Sequence, residues 1–147
     1  MSDRSPLRAL TEINQIIREN RVADYTTPNL ALGMRPLAFG PGSSSWDWLT
    51  HPPQVRNPFG SISGGYIGIF VDEMLSTAIG SVLEAGEFAV TAEIKLSYLR
   101  VLMPGAITGA ARVVRRTRAL AFLEATVCAA SGEIAATASS TWAISRS

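Results

Sequence analysis

The sequence predicts an α+β fold in which a mostly antiparallel sheet is wrapped around one long central helix. The first observation is an apolar stretch from Ser63 to Gly86 whose apolar residues recur at helical spacing. The second is the series of strand-like segments that follows it, separated by turn residues such as Pro104-Gly105 and Ser131-Gly132. The order is helix, two strands, long helix and four strands, which is typical of an α+β domain.

The composition favours one well-packed domain without a strongly charged partner. The chain has 147 residues, of which 47% are hydrophobic and 17% charged, and its net charge is +1. A chain of this length buries roughly two thirds of its unfolded surface in a single core. We expect an N-terminal helix and connector over residues 1–28 and one domain over residues 29–147. The nearly neutral charge disfavours nucleic acid as a partner.

The few cysteine and histidine residues limit the chemistry that the chain can support. Cys128 is the only cysteine and His51 the only histidine, so we expect no internal disulfide, no metal site and no cofactor. Charges are spread through the first 24 residues, which differs from a signal peptide. No run of about 18 apolar residues indicates a membrane span. These features predict a cytoplasmic protein with no membrane partner.

An amphipathic helix is predicted near the N-terminus, from Ser5 to Asn20. Ser5 is a favoured cap residue and Pro6 suits the first helical turn. The apolar residues at helical spacing are Leu7, Leu10, Ile13 and Ile17. We expect this helix to pack on the flank of the domain or on a dimer partner. Insertion into a membrane is disfavoured because acidic residues offset its arginines.

A β-hairpin is predicted next, with strands from Asn29 to Phe39 and from Ser44 to Thr50. Trp46 and Trp48 share one face of the second strand, and burial of that face is the expected role for them. A ligand channel lined by one of the two is the alternative. His51 follows the strand and is expected to be an exposed loop residue rather than a general base.

The central helix is predicted to begin near Ser63, a favoured cap residue, and to end at Gly86. One of its faces is apolar and consists of Ile67, Phe70, Val71, Met74, Leu75, Ala78 and Val82. A second face is lined mostly by small residues, with one carboxylate at its middle. Its members are Gly65, Gly68 or Ile69, Asp72, Ser76 and Gly80. Another backbone can approach such a face closely, so we expect Asp72 to be flanked by protein.

The adjacent carboxylates Asp72 and Glu73 are unusual in a helix that is apolar on nearly every side. An unpaired buried charge costs several kcal/mol or shifts its pKa. In a structural interpretation, one carboxylate is solvated and the other pairs with an arginine in the interior. In a functional interpretation, Asp72 takes part in chemistry. The residue pattern alone leaves both interpretations open.

Four strands are predicted after the central helix. The first has Phe88, Val90, Ala92, Ile94, Leu96 and Tyr98 on one face, and Thr91, Glu93, Lys95 and Ser97 on the other. One of these faces should pack on the helix. The remaining strands are predicted from Ala106 to Arg115, Ala119 to Ala130 and Glu133 to Ile144.

The pattern Asn57-x-x-Gly60-x-x-Ser63-Gly64-Gly65, with Asp72 nine residues after Ser63, resembles the signature of the PaaI-type hotdog-fold acyl-CoA thioesterases. The later segments that follow the family's order are Val90 to Arg100, Pro104-Gly105, Arg116-Thr117-Arg118 and Gly132 to Ala135. The resemblance covers about residues 30–144. It implies a hotdog fold and hydrolysis of an acyl-CoA thioester to the free acid and CoA. The chain departs from the family at Ser63, where a histidine is usual.

The resemblance also implies catalytic roles. Asp72 would be the general base or nucleophile, and the backbone N–H of Gly64 would donate to the oxyanion. Asn57 would hold the loop or the attacking water, and Thr91 would place a hydroxyl near the carboxylate. Each of the last two has a plain alternative, since Asn57 suits a turn and Thr91 suits a strand.

Substrate contacts are implied for four further residues. Ser63 and Gly65 would lie against the substrate at the start of the helix. Arg116 and Arg118 could bind the phosphates of CoA, because guanidinium groups pair well with phosphate oxygens. Solvated surface arginines are the alternative for this pair.

The proposed catalytic groups are too far apart to act together in one chain. Asp72 lies about 12 Å along the helix axis from Gly64, at a rise of 1.5 Å per residue. The resemblance implies a site shared between paired subunits, so we expect a homodimer or a homotetramer. The alternative function is a non-catalytic acyl-CoA or lipid-binding hotdog protein, which Ser63 in place of histidine favours. A dehydratase is least supported, because those enzymes pair a carboxylate with a histidine.

Overall fold

The computed structural model describes residues 6–147, which form two α-helices and six strands. The predicted cap residue Ser5 and the side chain of Leu7 lie outside what is described. The helices are α1 (Pro6–Arg18) and α2 (Gly64–Gly80). The strands are β1 (Met34–Gly40), β2 (Ser43–Trp48), β3 (Glu87–Tyr98), β4 (Ile107–Arg116), β5 (Leu120–Cys128) and β6 (Ile134–Arg146).

The six strands form one antiparallel sheet in the order β1-β2-β4-β5-β6-β3. Helix α2 packs on one face of this sheet and contacts β1 to β5, and α1 packs against α2. The predicted α+β class, with a sheet around one long helix and an additional N-terminal helix, is confirmed. The last three strands lie within about two residues of their predicted bounds. Strands β1 and β3 are the two edges of the sheet.

Helix α2 begins directly after Ser63, as predicted, but ends at Gly80 rather than Gly86. The chain leaves the helix through a turn in which the Ser81 N–H still donates to the carbonyl of Thr77. Leu83 is buried in this turn, which extends the apolar pattern beyond the helix itself. Gly86 has a φ of +82° and redirects the chain into β3.

The predicted strand from Asn29 to Phe39 is wrong in its first half. Residues Pro28–Leu32 form a short 3₁₀-helix, whose start is capped by the Thr27 hydroxyl. Gly33 ends it with a φ of +90°, and a Cβ there would lie 2.1 Å from the Thr50 carbonyl oxygen. Strand β1 therefore starts only at Met34.

The two tryptophans of β2 are fully buried, as predicted. The indole N–H of Trp46 donates to the Thr77 hydroxyl at 3.0 Å, and that of Trp48 donates to the Leu32 carbonyl at 2.7 Å. His51 is half-buried rather than exposed, because its ring packs 5.0 Å from the ring of Trp48. This burial lowers the pKa of the His51 imidazole.

Strand β3 contains a bulge that reverses the predicted facing of its first half. The register between β3 and β6 shifts at Ala92. Odd-numbered residues before Ala92 therefore face the same side of the sheet as even-numbered residues after it. Thr91 therefore points to α2, as do Leu96 and Tyr98 beyond the bulge. Val90 is 53% exposed and lies on the outer face. The predicted continuous face from Phe88 to Tyr98 is correct only after Ala92.

No helix within residues 6–147 is long and apolar enough to cross a membrane. In the same range, no cluster of three histidine, cysteine or acidic side chains is arranged to hold a metal ion.

Candidate active site

The loop before α2 is closed by the side chain of Asn57. Its Oδ1 accepts from the N–H groups of Phe59 (3.0 Å) and Ser61 (3.2 Å), and its amide donates to the Ser61 hydroxyl at 2.6 Å. Gly60 takes a φ of +81° in the same turn. Asn57 thus makes the contacts of a turn residue, which was the alternative to a catalytic role. Through these contacts it fixes the loop that leads to the helix.

The start of α2 has backbone donors that the helix does not use. The Ser63 N–H donates to the Val55 carbonyl at 2.8 Å, whereas the Ser63 side chain makes no capping hydrogen bond. The N–H groups of Gly64 and Gly65 lie in the first turn, where a helix offers no acceptor. They also lie at the positive end of the helix dipole. This arrangement suits the binding of an oxygen that carries negative charge.

Tyr98, which the sequence analysis did not single out, fastens the end of β3 to the start of α2. Its hydroxyl donates to the Gly64 carbonyl at 2.7 Å. A Cβ on Gly64 would lie 3.2 Å from the Tyr98 ring, whereas one on Gly65 would meet nothing within 4 Å. Glycine at position 64 therefore allows the ring to cover this turn.

Asp72 and Thr91 meet halfway along α2. The Thr91 hydroxyl donates to Asp72 Oδ1 at 3.1 Å, and both residues are exposed in the single chain. The expectation that Asp72 is flanked by protein is therefore not met within one chain. The partial burial that it has raises the pKa of the Asp72 carboxyl, and the nearby Glu73 charge adds to this effect. The hydrogen bond from Thr91 acts in the opposite direction.

Glu73 is the buried carboxylate of the pair, with 7% of its surface exposed. Its oxygens accept from Tyr25 (3.0 Å), Asn29 (2.7 Å) and the hydroxyl of Thr27. Among the side chains that the structure describes, no arginine pairs with it. The structural interpretation is thus half right, because one carboxylate is solvated but the other is held by three neutral donors.

The small-residue face of α2 is covered mainly at one end within the single chain. At its C-terminal end, a Cβ on Gly80 would lie 2.9 Å from Ile17 Cδ1 of α1. The group that approaches this end closely is therefore a side chain of the same chain and not a backbone. Towards the other end, Gly65 and Asp72 are exposed in the single chain, whereas Gly68 between them is half-buried near Leu96.

The two candidate phosphate-binding arginines differ in their surroundings. Arg116 pairs with Glu87, whose side chain is fully buried, and donates to the Val82 carbonyl. Arg146 completes this group, with Nη2 at 2.8 Å from Glu87 Oε1. Arg118 is exposed in the turn between β4 and β5. Arg116 thus fixes the turn between α2 and β3, whereas Arg118 is exposed to solvent.

The predicted site residues form two groups within one chain. Asn57 and Gly64 border a cavity of about 420 Å³, which Tyr98 and the segment up to Leu102 enclose on the other side. Asp72 and Thr91 form the second group, about 12 Å further along the helix by its rise per residue.

Comparison with known proteins identifies the family. Residues 59–136 match the model of the thioesterase superfamily. No curated protein matches the sequence significantly. A putative thioesterase from Ralstonia eutropha, described as related to phenylacetic acid degradation, is 25% identical with a TM-score of 0.77. The match covers 89% of this chain and 98% of that one.

Two further solved structures share the fold. A thioesterase family protein from Silicibacter pomeroyi is 21% identical with a TM-score of 0.80, over 91% of this chain and 99% of that one. The PaaI protein of the Escherichia coli phenylacetic acid degradation operon is 18% identical with a TM-score of 0.76, over 89% and 94%. The family match spans more than half of the sequence, and it includes the start of α2 and Asp72. The chain therefore belongs to the thioesterase superfamily and is a hotdog-fold thioester hydrolase.

Proposed function

We propose that this protein hydrolyses an acyl-CoA thioester to the free acid and CoA, with Asp72 as general base or nucleophile. The observation that carries the proposal is the hydrogen bond between Thr91 and Asp72 on an exposed part of the central helix. Thr91 holds one carboxylate oxygen and leaves the other free to act. As a base, Asp72 takes a proton from the water that attacks the carbonyl carbon. As a nucleophile, it forms an anhydride that water then hydrolyses. In both cases the thiolate of CoA leaves.

The start of α2 is proposed to stabilise the oxyanion. The N–H of Gly64 would donate to the carbonyl oxygen as it becomes negative, and Gly65 would lie against the substrate beside it. The hydroxyl of Ser63 is not used as a helix cap, so it is free to contact the thioester. Since serine cannot be cationic, backbone donors would supply most of the stabilisation at this position.

A second copy of the chain would bring the two groups together. Strand β3 is an edge strand of 12 residues, and none of the described strands pairs with its outer side, which favours addition of another strand. On this strand, Thr91 lies beside Asp72 of α2, and Tyr98 lies beside Gly64. Antiparallel pairing about a two-fold axis near Ile94 would set Thr91 of one subunit opposite Tyr98 of the other. Asp72 and Gly64 would then complete two shared sites in a homodimer, and two dimers could form a homotetramer.

The phosphates of CoA are proposed to contact Arg118. This side chain is exposed, whereas the guanidinium of Arg116 already pairs with the buried Glu87. We therefore give Arg116 an indirect part in substrate binding, in which it holds the turn that carries Arg118.

Thiol release from a panel of acyl-CoA thioesters tests the proposal. The Asp72→Asn protein should lose about a hundredfold or more of the hydrolysis rate, because an amide cannot act as base or nucleophile. Its melting temperature should stay close to that of the unmodified protein, since the side chain is exposed.

Asp24→Asn is the matched control, because Asp24 is an exposed carboxylate that pairs with Arg21 on the surface. Near-normal hydrolysis by Asp72→Asn would remove Asp72 from the chemistry. Equal losses in both variants would show that the assay responds to surface charge rather than to the site.

A further inference from the structure

The phenol of Tyr98 lies against the first turn of α2. Tyr98 is the last residue of β3, and its hydroxyl donates to the Gly64 carbonyl at 2.7 Å. Its Cζ, Oη and Cε1 atoms lie 3.2, 3.3 and 3.4 Å from the position that a Cβ on Gly64 would take. Both residues border the cavity of about 420 Å³ at the candidate oxyanion site. The phenol therefore covers the Gly64 carbonyl at the edge of this site.

The Gly64 carbonyl belongs to the same peptide group as the Gly65 N–H. By the i to i−4 pattern of an α-helix, this carbonyl also accepts from the Gly68 N–H, so Tyr98 is its second donor. Hydrogen bonds to a peptide carbonyl draw electron density towards the oxygen, and they make the N–H of that peptide group a stronger donor. The hydroxyl of Tyr98 therefore strengthens the Gly65 N–H through the peptide bond.

The Gly65 N–H is available to a ligand. The N–H groups of Tyr66 and Ile67 both donate to the Ser63 carbonyl. Gly65 precedes them in the first helical turn, where the helix offers no acceptor. Gly65 is exposed, and a Cβ on it would meet nothing within 4 Å. The N–H groups of Gly64 and Gly65 are consecutive, so one oxygen atom can accept from both at the positive end of the helix.

We propose that Tyr98 is a positioning residue for thioester hydrolysis, whose hydroxyl polarises the peptide group between Gly64 and Gly65 and makes the Gly65 N–H a second oxyanion donor. This inference rests on the proposed function. When the attacking oxygen bonds to the carbonyl carbon, the π electrons of the carbonyl move to its oxygen, which accepts from the two N–H groups. The carbonyl forms again as the C–S bond breaks and the thiolate leaves. Tyr98 keeps its proton throughout, and its hydrogen bond is strongest while the oxyanion exists.

Tyr98→Phe removes the hydroxyl and keeps the ring over the Gly64 carbonyl. For the acyl-CoA that is hydrolysed best in the panel, kcat should fall about five- to tenfold and KM should stay within about twofold, because the hydroxyl acts mainly in the transition state. Tyr66→Phe is the matched control, since Tyr66 lies in the same turn and its hydroxyl makes no hydrogen bond with a described residue. An unchanged kcat in Tyr98→Phe, or the same fall in Tyr66→Phe, would overturn the proposal.

The peptide group through which Tyr98 acts gives the second test. Gly65→Pro removes the N–H within the first helical turn, where proline is accommodated, and its Cβ meets no neighbour within 4 Å. In this background Tyr98→Phe should lower kcat by no more than about twofold, because the N–H that the phenol strengthens is already absent. Gly65→Ala keeps the N–H, so Tyr98→Phe should retain its full effect there. Equal effects in the two backgrounds would show that Tyr98 does not act through this N–H.

Infrared spectroscopy gives a readout that requires neither turnover nor a change at Gly65. The probe is the ketone analogue of acetyl-CoA, in which a methylene group replaces the sulfur and the carbonyl carries ¹³C. It is chosen because the smallest acyl group fits any acyl site. Hydrogen bonds to a carbonyl oxygen lower its stretching frequency, so the bound band should lie below that of the free analogue. In Tyr98→Phe it should lie at a higher frequency than in the unmodified protein.

The outcomes separate this inference from the proposed function. The same bound frequency in Tyr98→Phe and in the unmodified protein would reject the role of Tyr98 and retain the proposed function. A difference in frequency together with normal hydrolysis by Asp72→Asn would retain Tyr98 and reject the role of Asp72. If millimolar analogue gave no bound band, both the binding of acyl-CoA and the role of Tyr98 would be rejected.

Discussion

Asp72 and Glu73 are neighbours in the sequence, yet their surroundings give them opposite properties. Glu73 is enclosed by three donors from the connector before β1, and its oxygens have no room for a substrate. Asp72 is exposed, and Thr91 is its one donor among the described residues, so its second oxygen is free there. A functional carboxylate needs this accessibility, which is why we propose Asp72 rather than Glu73 as the catalytic group.

The pH dependence of hydrolysis should report the ionisation of Asp72. Partial burial and the charge of Glu73 raise the pKa of its carboxyl above the ordinary value of 3.8. A base or nucleophile must be ionised, so kcat/KM should fall as the pH drops through a pKa above 3.8. Thr91→Val removes the hydrogen bond that lowers this pKa, and should move the acidic limb to higher pH. If the acidic limb of the pH profile were the same in Thr91→Val and in the unmodified protein, it would not report the ionisation of Asp72.

Deleting one backbone donor should test the oxyanion site directly. Gly64→Pro removes the N–H at the first helical position, where proline is well tolerated, and the extended backbone of Ser63 is compatible with it, although its Cβ would lie 3.2 Å from the Tyr98 ring. We expect kcat to fall about a hundredfold. Gly64→Ala adds the same Cβ beside the Tyr98 ring but keeps the N–H, so it is the matched control and should retain most of the activity. Both rates can be measured by thiol release, with circular dichroism to check the fold.

At the scale of elements, the connector between α1 and β1 stabilises the central helix. Tyr25, Thr27 and Asn29 belong to this connector and donate to Glu73 in the middle of α2. Their sequence is polar, so the sequence analysis treated part of it as a simple link and part as a strand. The buried carboxylate explains why the chain needs three donors there.

Glu73→Gln should therefore destabilise the fold. The amide nitrogen would face a donor, and we expect a loss of about 1–3 kcal/mol in the free energy of unfolding. Urea denaturation measures this loss. Asp72→Asn serves as the comparison and should stay within about 0.5 kcal/mol. If the two variants were equally stable, the hydrogen bonds to Glu73 would contribute no net stability.

The two arginines at the turn between β4 and β5 should have different roles, one in stability and the other in substrate binding. Arg116→Met leaves the buried Glu87 with Arg146 alone, and breaking a buried pair costs up to about 3–5 kcal/mol. We expect a lower melting temperature from this change. Arg118→Met should leave the melting temperature unchanged and raise the KM for acyl-CoA severalfold. A rise in KM only for Arg116→Met would reverse the two roles.

Much of the fold and part of the site could be predicted because local patterns specify them. The spacing around α2 gave its start, and the glycines after Ser63 indicated free N–H groups. Two features depend on contacts between distant residues and left no local signal, namely the cluster around Glu73 and the hydrogen bond from Tyr98 to Gly64. The 3₁₀-helix did have a local signal, with Thr27-Pro28 at its start and Gly33 at its end, which the strand prediction overlooked.

For the whole molecule, the separation of Gly64 and Asp72 predicts that a single subunit is inactive and that two are needed. Asp72→Asn and Gly64→Pro should each be inactive alone. When they are mixed and allowed to exchange subunits, about half of the dimers are mixed, and each retains one complete site. Activity should then recover to about a quarter of the unmodified level.

Exchange can be followed by thiol release after mild denaturation and refolding of the mixture. Light scattering should give the mass of at least a dimer. If activity did not recover although mixed dimers had formed, both groups would act within one subunit.

The bulge at Ala92 has a consequence for how related sequences are compared. Successive side chains of a strand point to opposite faces of the sheet, and one additional residue exchanges the faces for all residues after it. A relative without this residue would be aligned out of phase on one side of it, and the role of Thr91 would be transferred to Val90 or Ala92. Superposition of Cα positions avoids this error. Deletion of Ala92 would cause the corresponding change of facing in the protein itself, since either Thr91 or Tyr98 must then turn away from α2.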